Sequence, residues 1–256
     1  MEVFRIEEVG ADHIDSVNRM CTVPGSDPES VLWESREAHR QAAALGARVF
    51  AAFQGGEPVG RTEVMPSDAA PLPLEGEGLW VIRCLWVLPG AQRKGIARSL
   101  MDKVLLASAG SKGIAVVTYP DWMPVPFFER FGFTMQQCCP PATVLLRKNN
   151  SDAHVSYLPP ERSVAPDGRV RVEAVMSGRC PWIMQYFRAR LADALRFSEY
   201  VVTSERLISD RSDALRCGDE NIYIDNEAPF AGPVSTGEFT GYLKERLRAR
   251  GLPAPD

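Results

Sequence analysis

The sequence predicts an α/β protein in two parts: a mixed central sheet with flanking helices over residues 1–148, then a smaller α/β unit over 168–256. The first observation behind this is Leu79–Leu106, LWVIRCLWVLPGAQRKGIARSLMDKVLL, which reads as a buried strand, a glycine-bearing loop and an amphipathic helix. The second is Ile114–Tyr119, another apolar run beyond that helix; a helical crossover makes the two strands parallel. The third is Asn149–Asp167, which carries Asn, Ser, Asp and three prolines and reads as a linker before the pattern restarts.

In chain order, Met1–Glu8 alternates apolar and polar residues and predicts an edge strand. Asp12 can cap a helix over Ile14, Val17 and Met20. Cys21–Asp27, with Pro24-Gly25, reads as a loop. Pro28–Leu45 places Val31, Leu32, Ser35, Ala38, Ala42 and Leu45 on one helix face, with Asp27 as cap and Gly46 as stop. Val49–Phe53 and Val59–Val64 flank Gln54-Gly55-Gly56-Glu57 as a hairpin. Ser67–Gly78 reads as a surface loop, Val125–Arg130 as a short helix, and Thr134–Cys138 with Thr143–Leu146 as antiparallel strands. After the linker come a strand at Val170–Met176, a turn at Gly178–Trp182 and a helix at Ile183–Leu195. A short strand at Tyr200–Val202, a short helix at Ser209–Leu215, a hairpin of Asn221–Asp225 with Phe230–Val234, and a helix at Phe239–Arg250 follow.

The bulk numbers narrow the function classes. A composition of 45% hydrophobic and 24% charged residues is that of a globular protein. The net charge of −4 argues against nucleic acid as a partner, because a phosphate backbone needs concentrated positive charge. No apolar run approaches the roughly 20 residues of a membrane span, and no basic-flanked N-terminal run predicts a secretory signal. The six cysteines have no scaffold spacing, so reduced thiols and a cytoplasmic location are expected.

Gln92-Arg93-Lys94-Gly95-Ile96-Ala97, after the strand end Val87-Leu88-Pro89, points free N–H groups at one spot next to a helix N-terminus, which suits a phosphate. This run resembles the acetyl-CoA loop of the GNAT N-acetyltransferases, whose pattern is Arg or Gln, two residues, Gly, one residue, then Gly or Ala. Pro126-Phe127-Phe128-Glu129-Arg130-Phe131-Gly132-Phe133 resembles that family's short helix ending in Gly-Phe. The resemblance covers residues 1 to about 148 and implies the GNAT fold, acetyl-CoA as co-substrate and a small-molecule amine as acceptor. It also implies that backbone N–H groups of Gln92, Arg93, Lys94, Gly95, Ile96 and Ala97 hold the pyrophosphate, while Leu85 and Val87 pair with pantetheine as an added strand. Phe127 and Phe128 pack on the pantetheine arm or fill core. The order of elements after the linker is similar to a thioredoxin-like unit of the YoaP type. Many proteins of this kind pair, so a homodimer stays open.

Two positions depart from the family. Phe128 stands where a tyrosine often protonates the leaving thiolate, and Arg83 where a glutamate often serves as base. Phenylalanine has no proton to give, and arginine stays protonated. Tyr119 is the substitute candidate for the acid and Glu63 for a base acting through water. Arg83 is a candidate grip on an acidic group of the substrate. Asp121–Pro124 resembles an acceptor-pocket lip, and Trp122, with Trp80 and Trp86, is a candidate wall. Two rival readings remain open: a non-catalytic acyl-CoA-binding module, and a thiol protein acting through Cys180, a cysteine preceding a helix. Cys138-Cys139 fits no standard zinc spacing, and His13, His39 and His154 are scattered, so no metal is expected.

Overall fold

The structure, a computed structural model, describes residues 4–23, 27–120, 122–158 and 168–254. Pro24-Gly25, Asp121 and the linker positions 159–167 lie outside those residues. The strands β1 (Phe4–Val9), β2 (Arg48–Gln54), β3 (Glu57–Pro66), β5 (Leu79–Val87), β6 (Gly113–Thr118), β7 (Thr134–Cys139) and β8 (Ala142–Lys148) form a seven-stranded sheet in the order β1-β2-β3-β5-β6-β8-β7. Within it β5 and β6 are parallel and the other neighbours antiparallel.

Helix α3 (Ile96–Ala107) makes the β5–β6 crossover and buries Ile96, Leu100, Met101 and Val104 against one face of the sheet. The predicted first helix is shorter than its periodicity suggests: α1 (Ile14–Asn18) is flanked by 3₁₀ turns. Helix α2 spans Glu29–Ala44 and α4 Val125–Glu129.

Two loops were misread from composition. Ser67–Gly78 is not a surface loop: it buries Ala70, Leu72 and Leu74 and contains a two-residue strand, β4 (Leu74–Glu75). The start of the predicted linker folds back onto it. There β9 (Ser156–Tyr157) pairs with β4, and Ala153 and Val155 are buried. Proline and polar content marked both segments as loops, but apolar residues between the prolines had a core to fill.

The second unit holds β10 (Val170–Met176), α5 (Pro181–Leu195), β11 (Val201–Leu207), α6 (Arg211–Cys217), β12 (Asn221–Ile224) and α7 (Thr236–Ala249). Its sheet runs β11-β10-β12, with β11 parallel and β12 antiparallel to β10. The predicted hairpin partner Phe230–Val234 is not a strand; β12 pairs with β10 instead, and Asp225 and Asn226 turn the chain at φ 48 and 77. Helix α7 starts in a capping box between Ser235 and Glu238. Phe239, Leu243 and Leu247 bury it against the sheet.

The two units are joined by specific contacts. Arg188 grips Glu34 through both Nη atoms at 2.9 and 2.7 Å. Ser35 Oγ donates to the Arg179 carbonyl at 2.7 Å, and Arg211 Nε to the Leu74 carbonyl at 2.5 Å.

Candidate active site

The site begins where β5 and β6 part. Their pairing runs from Leu79↔Gly113 to Ile82↔Val116 and stops, while β5 continues to Val87. A register shift opposite Glu63/Val64 leaves Arg83 as an extra residue, a bulge that turns the strand. The β6-facing edge of Arg83–Val87 thus lacks a strand partner, whereas its other edge pairs with β3 from Gly60↔Val87. Leu85 and Val87 therefore lie on a strand segment open to an added extended chain.

The loop after β5 is built to receive an anion. Gln92 Nε2 donates to the Val87 carbonyl at 3.1 Å and ties the loop to the strand end. Arg93 and Gly95 take φ of 61 and 85, so the backbone curls before α3. From Arg93 through Arg98, no N–H donates to a backbone carbonyl; the first such bond is Ser99 to Gly95 at 3.0 Å. Open space lies over Gly95, where a Cβ would meet nothing within 4 Å. The donors, that open space and the N-terminus of α3 together fit a pyrophosphate. Arg93 and Lys94 are exposed beside it. Phe128 is fully buried and packs edge-on against Phe127 and Phe133, so it is core; Phe127 is half-buried.

Beyond the splayed strands a cavity of about 150 Å³ opens between the two units. Of the other proposed wall residues, Trp80 packs on the core of the first unit and Trp86 reaches the cavity only by stacking on Trp122, whereas Glu63, Arg83, Tyr119 and Trp122 all line it. Their states differ from the simple roles. Burial pushes Glu63 up, but Arg179, His39 and Arg61 outweigh it and hold the carboxyl well below the usual range. Arg179 Nη1 lies 2.7 Å and Arg61 Nη2 3.1 Å from its oxygens. His39 Nδ1 donates to the Ser35 carbonyl at 2.7 Å, its Nε2 lies 3.0 Å from Arg61 Nη2 and 3.4 Å from Glu63 Oε2, and burial lowers this imidazole against the pull of Glu63. Glu63 is therefore the hub of a buried charge cluster and a weak base.

Arg83 is not free to hold an acidic substrate. Its Nη2 donates to Glu220 Oε2 at 2.6 Å, and Glu220 Oε1 accepts from Ser177 N–H and Oγ at 2.9 and 2.7 Å. The Tyr119 hydroxyl donates to Asp219 Oδ2 at 2.5 Å; burial, then the adjacent carboxylate, raises it well above an ordinary phenol. Tyr119 thus holds its proton tightly.

The structural comparisons concern the first unit. Residues 46–135 match the family described as Acetyltransferase (GNAT) domain. Over those residues the chain is similar to a GNAT acetyltransferase domain. Similar solved structures include a GNAT family acetyltransferase from Brucella melitensis in complex with acetyl-CoA, at 17% identity and TM-score 0.43, covering 61% of this chain and 97% of that one. The PaiA N-acetyltransferase from Thermoplasma acidophilum in complex with coenzyme A shows 14% identity and TM-score 0.44 over 57% and 99% of the two chains. An acetyltransferase from Thermus thermophilus shows 17% and 0.44 over 58% and 99%. No curated protein matches.

The first unit supplies one wall of the cavity, and the second unit supplies the other. Trp86 stacks on Trp122 (centroids 5.5 Å, 9°), Trp122 on Trp182 (6.4 Å, 18°), and Trp182 on Tyr186 (5.2 Å, 11°). The ladder thus runs from β5 of the first unit into α5. Cys180, the N-cap of α5, lines the same cavity with Cys21 and Cys84. Burial and the neighbouring Cys21 and Cys84 push the Cys180 thiol well up, the reverse of the activation expected from its position before a helix. Cys84 is likewise pushed up to about 12, chiefly by burial.

Sequence reasoning missed Asp219, Glu220 and the Phe230–Pro233 wall. The available signal was the adjacent pair of acids, Asp219 and Glu220, between the predicted helix at Ser209–Leu215 and the predicted strand at Asn221–Asp225.

Proposed function

We propose that the protein is an N-acetyltransferase that uses acetyl-CoA and acetylates the amine of a small molecule held in the cavity between the two units. The observation that carries this is the run of free N–H groups from Arg93 to Arg98 around the open space at Gly95, next to the partnerless edge of β5. Those N–H groups would hold the pyrophosphate, and Leu85 and Val87 the amides of the pantetheine arm. Bound acetyl-CoA supplies an acetyl thioester.

The chain's own residues orient the acceptor and manage its protons. The largely apolar wall of Ile82, Val117, Trp122, Trp182 and Phe230 keeps water from the reacting groups. The acceptor nitrogen bonds to the acetyl carbon as the carbon–sulfur bond breaks. Starting as an ammonium, it sheds two protons; one ends on the departing sulfur and the other in solvent. Asp219 accepts a hydrogen bond from the Tyr119 hydroxyl and can accept another from the acceptor nitrogen without ionising the phenol. The second unit is read as thioredoxin-like: a parallel βαβ with one antiparallel strand and a closing helix, its Gly178–Pro181 turn facing the cavity. The two units divide between 149 and 167, and the setting is cytoplasmic.

Thermal unfolding of the wild type and Gly95→Glu, each with and without acetyl-CoA, tests the reading. Ligand at about 100 times its dissociation constant adds roughly 2.7 kcal/mol to the folded state. The wild type should shift upward and the folded variant should not; no shift in either would remove the main support. The core position of Phe128 favours a second reading, a module that binds acyl-CoA without catalysis. Saturable binding with no release of free CoA across an amine panel would select it.

A further inference from the structure

The cavity carries more than a generic amine site, because its charges are almost all spoken for. Its cations are Arg61, Arg83 and Arg179. Arg61 and Arg179 are on Glu63 at 3.1 and 2.7 Å, and Arg83 is on Glu220 at 2.6 Å. Asp219 stands apart: it lines the cavity, is 3% exposed, and pairs with no cation among the described residues. Its partners are phenols: Tyr119 at 2.5 Å, Tyr223 at 2.8 Å, and Tyr157, whose hydroxyl its charge raises. An arriving ammonium meets an unneutralised carboxylate; an arriving carboxylate meets the same charge and no free arginine.

The wall around Asp219 selects a body for that ammonium. Trp122, Trp182 and Tyr186 form one side, with Trp86 stacked behind Trp122, and the chain from Phe230 to Pro233 forms another. The volume of this cavity, about 150 Å³, is that of an apolar cavity that holds a benzene ring. Aromatic faces also attract a cation in a desolvated slot.

Resting on the acetyltransferase reading, we infer that the acceptor is a primary amine carried by a single aromatic ring and lacking a carboxylate, its ammonium received by Asp219 of the second unit and its ring by the aromatic wall. The second unit is then half of the acceptor site. Asp219 is a binding residue here, and Tyr119 positions it.

The test compares phenethylamine, phenylalanine, hexylamine and spermidine with the full chain and acetyl-CoA, following free CoA by chromatography. Binding of each amine alone is read from the tryptophan fluorescence of the ladder. Phenethylamine should exceed phenylalanine in kcat/KM by roughly 100-fold, as like-charge juxtaposition costs several kcal/mol. Asp219→Asn should raise the phenethylamine KM about tenfold and narrow its margin over phenylalanine, while the acetyl-CoA thermal shift stays at the wild-type size. Phe230→Ala, a change away from the stacked ladder, should narrow the margin over hexylamine. An acetyl-CoA shift with equal or better use of phenylalanine, hexylamine or spermidine overturns the inference and leaves the acetyltransferase reading standing. An unchanged KM in a folded Asp219→Asn overturns the role of that residue. Loss of the acetyl-CoA shift in the wild type fails the acetyltransferase reading itself.

Discussion

Glu63→Gln tests whether the buried cluster under the cavity is a structural lock. Glu63 is 2% exposed and is the only carboxylate, among the described residues, on Arg61 and Arg179. The amide keeps the shape and a hydrogen-bond acceptor but removes the charge, leaving two buried guanidinium groups uncompensated. Breaking a buried pair by removing one partner costs about 3–5 kcal/mol. At roughly 2–4 °C per kcal/mol for a chain of this size, a loss of about 3 kcal/mol lowers Tm by roughly 6–12 °C. The pH dependence has a definite sign. The Glu63 carboxyl lies below its ordinary 4.5 when folded, so its contribution is fully present above about that pH and fades as pH falls further. His39, lowered from 6.5 by burial against the opposing pull of Glu63, adds an acid loss that begins near that value and is larger in the variant, which lacks that pull. The gap between wild type and variant in urea unfolding should therefore be constant from about pH 8 to 7, grow a little as His39 titrates, and shrink below about 4.5. Pairing the change with Arg179→Met should recover part of the loss, since one stranded charge goes with it. A gap under about 1 kcal/mol at pH 7, or one that does not shrink below about pH 4.5, refutes the lock.

Further outcomes follow from single sites. Phe128→Tyr places a hydroxyl in a fully buried ring cluster, so it should cost about 1–3 kcal/mol in urea unfolding and leave CoA release no faster. A gain in rate would show that the position reaches the thiolate after all. Cys138 is exposed and should react first with a disulfide reagent, while Cys21, Cys84 and Cys180 lag, their thiols raised by burial. Cys180 reacting as fast as Cys138 would revive the thiol reading. Gly218→Ala should destabilise by roughly 1–3 kcal/mol, because φ is +95 and a Cβ would overlap the Tyr223 hydroxyl that holds Asp219. An unchanged Tm would mean that the loop relaxes freely.

The legible parts of this chain are those written locally. The strand, loop and helix of Leu79–Leu106 appear where periodicity places them, because each depends on neighbours a few residues away. The αL turn at Gly95 is local too. Loops were less legible: Leu72 and Leu74 sit among prolines, and only the returning Ser156–Tyr157 strand explains why they are buried. The same limit hid half of the cavity. Arg83 reads alone as a free cation, yet its partner Glu220 is 137 positions away; Tyr119 reads as a free phenol, yet Asp219 is 100 away. Periodicity tells which face a residue occupies, not which residue of another unit will meet it. That distinction bears on chemistry. A free Arg83 would suit the site to acidic substrates, whereas a paired Arg83 leaves Asp219 as the lining carboxylate without a cation among the described residues, so the substrate charge inferred for the site reverses on one contact between the two units.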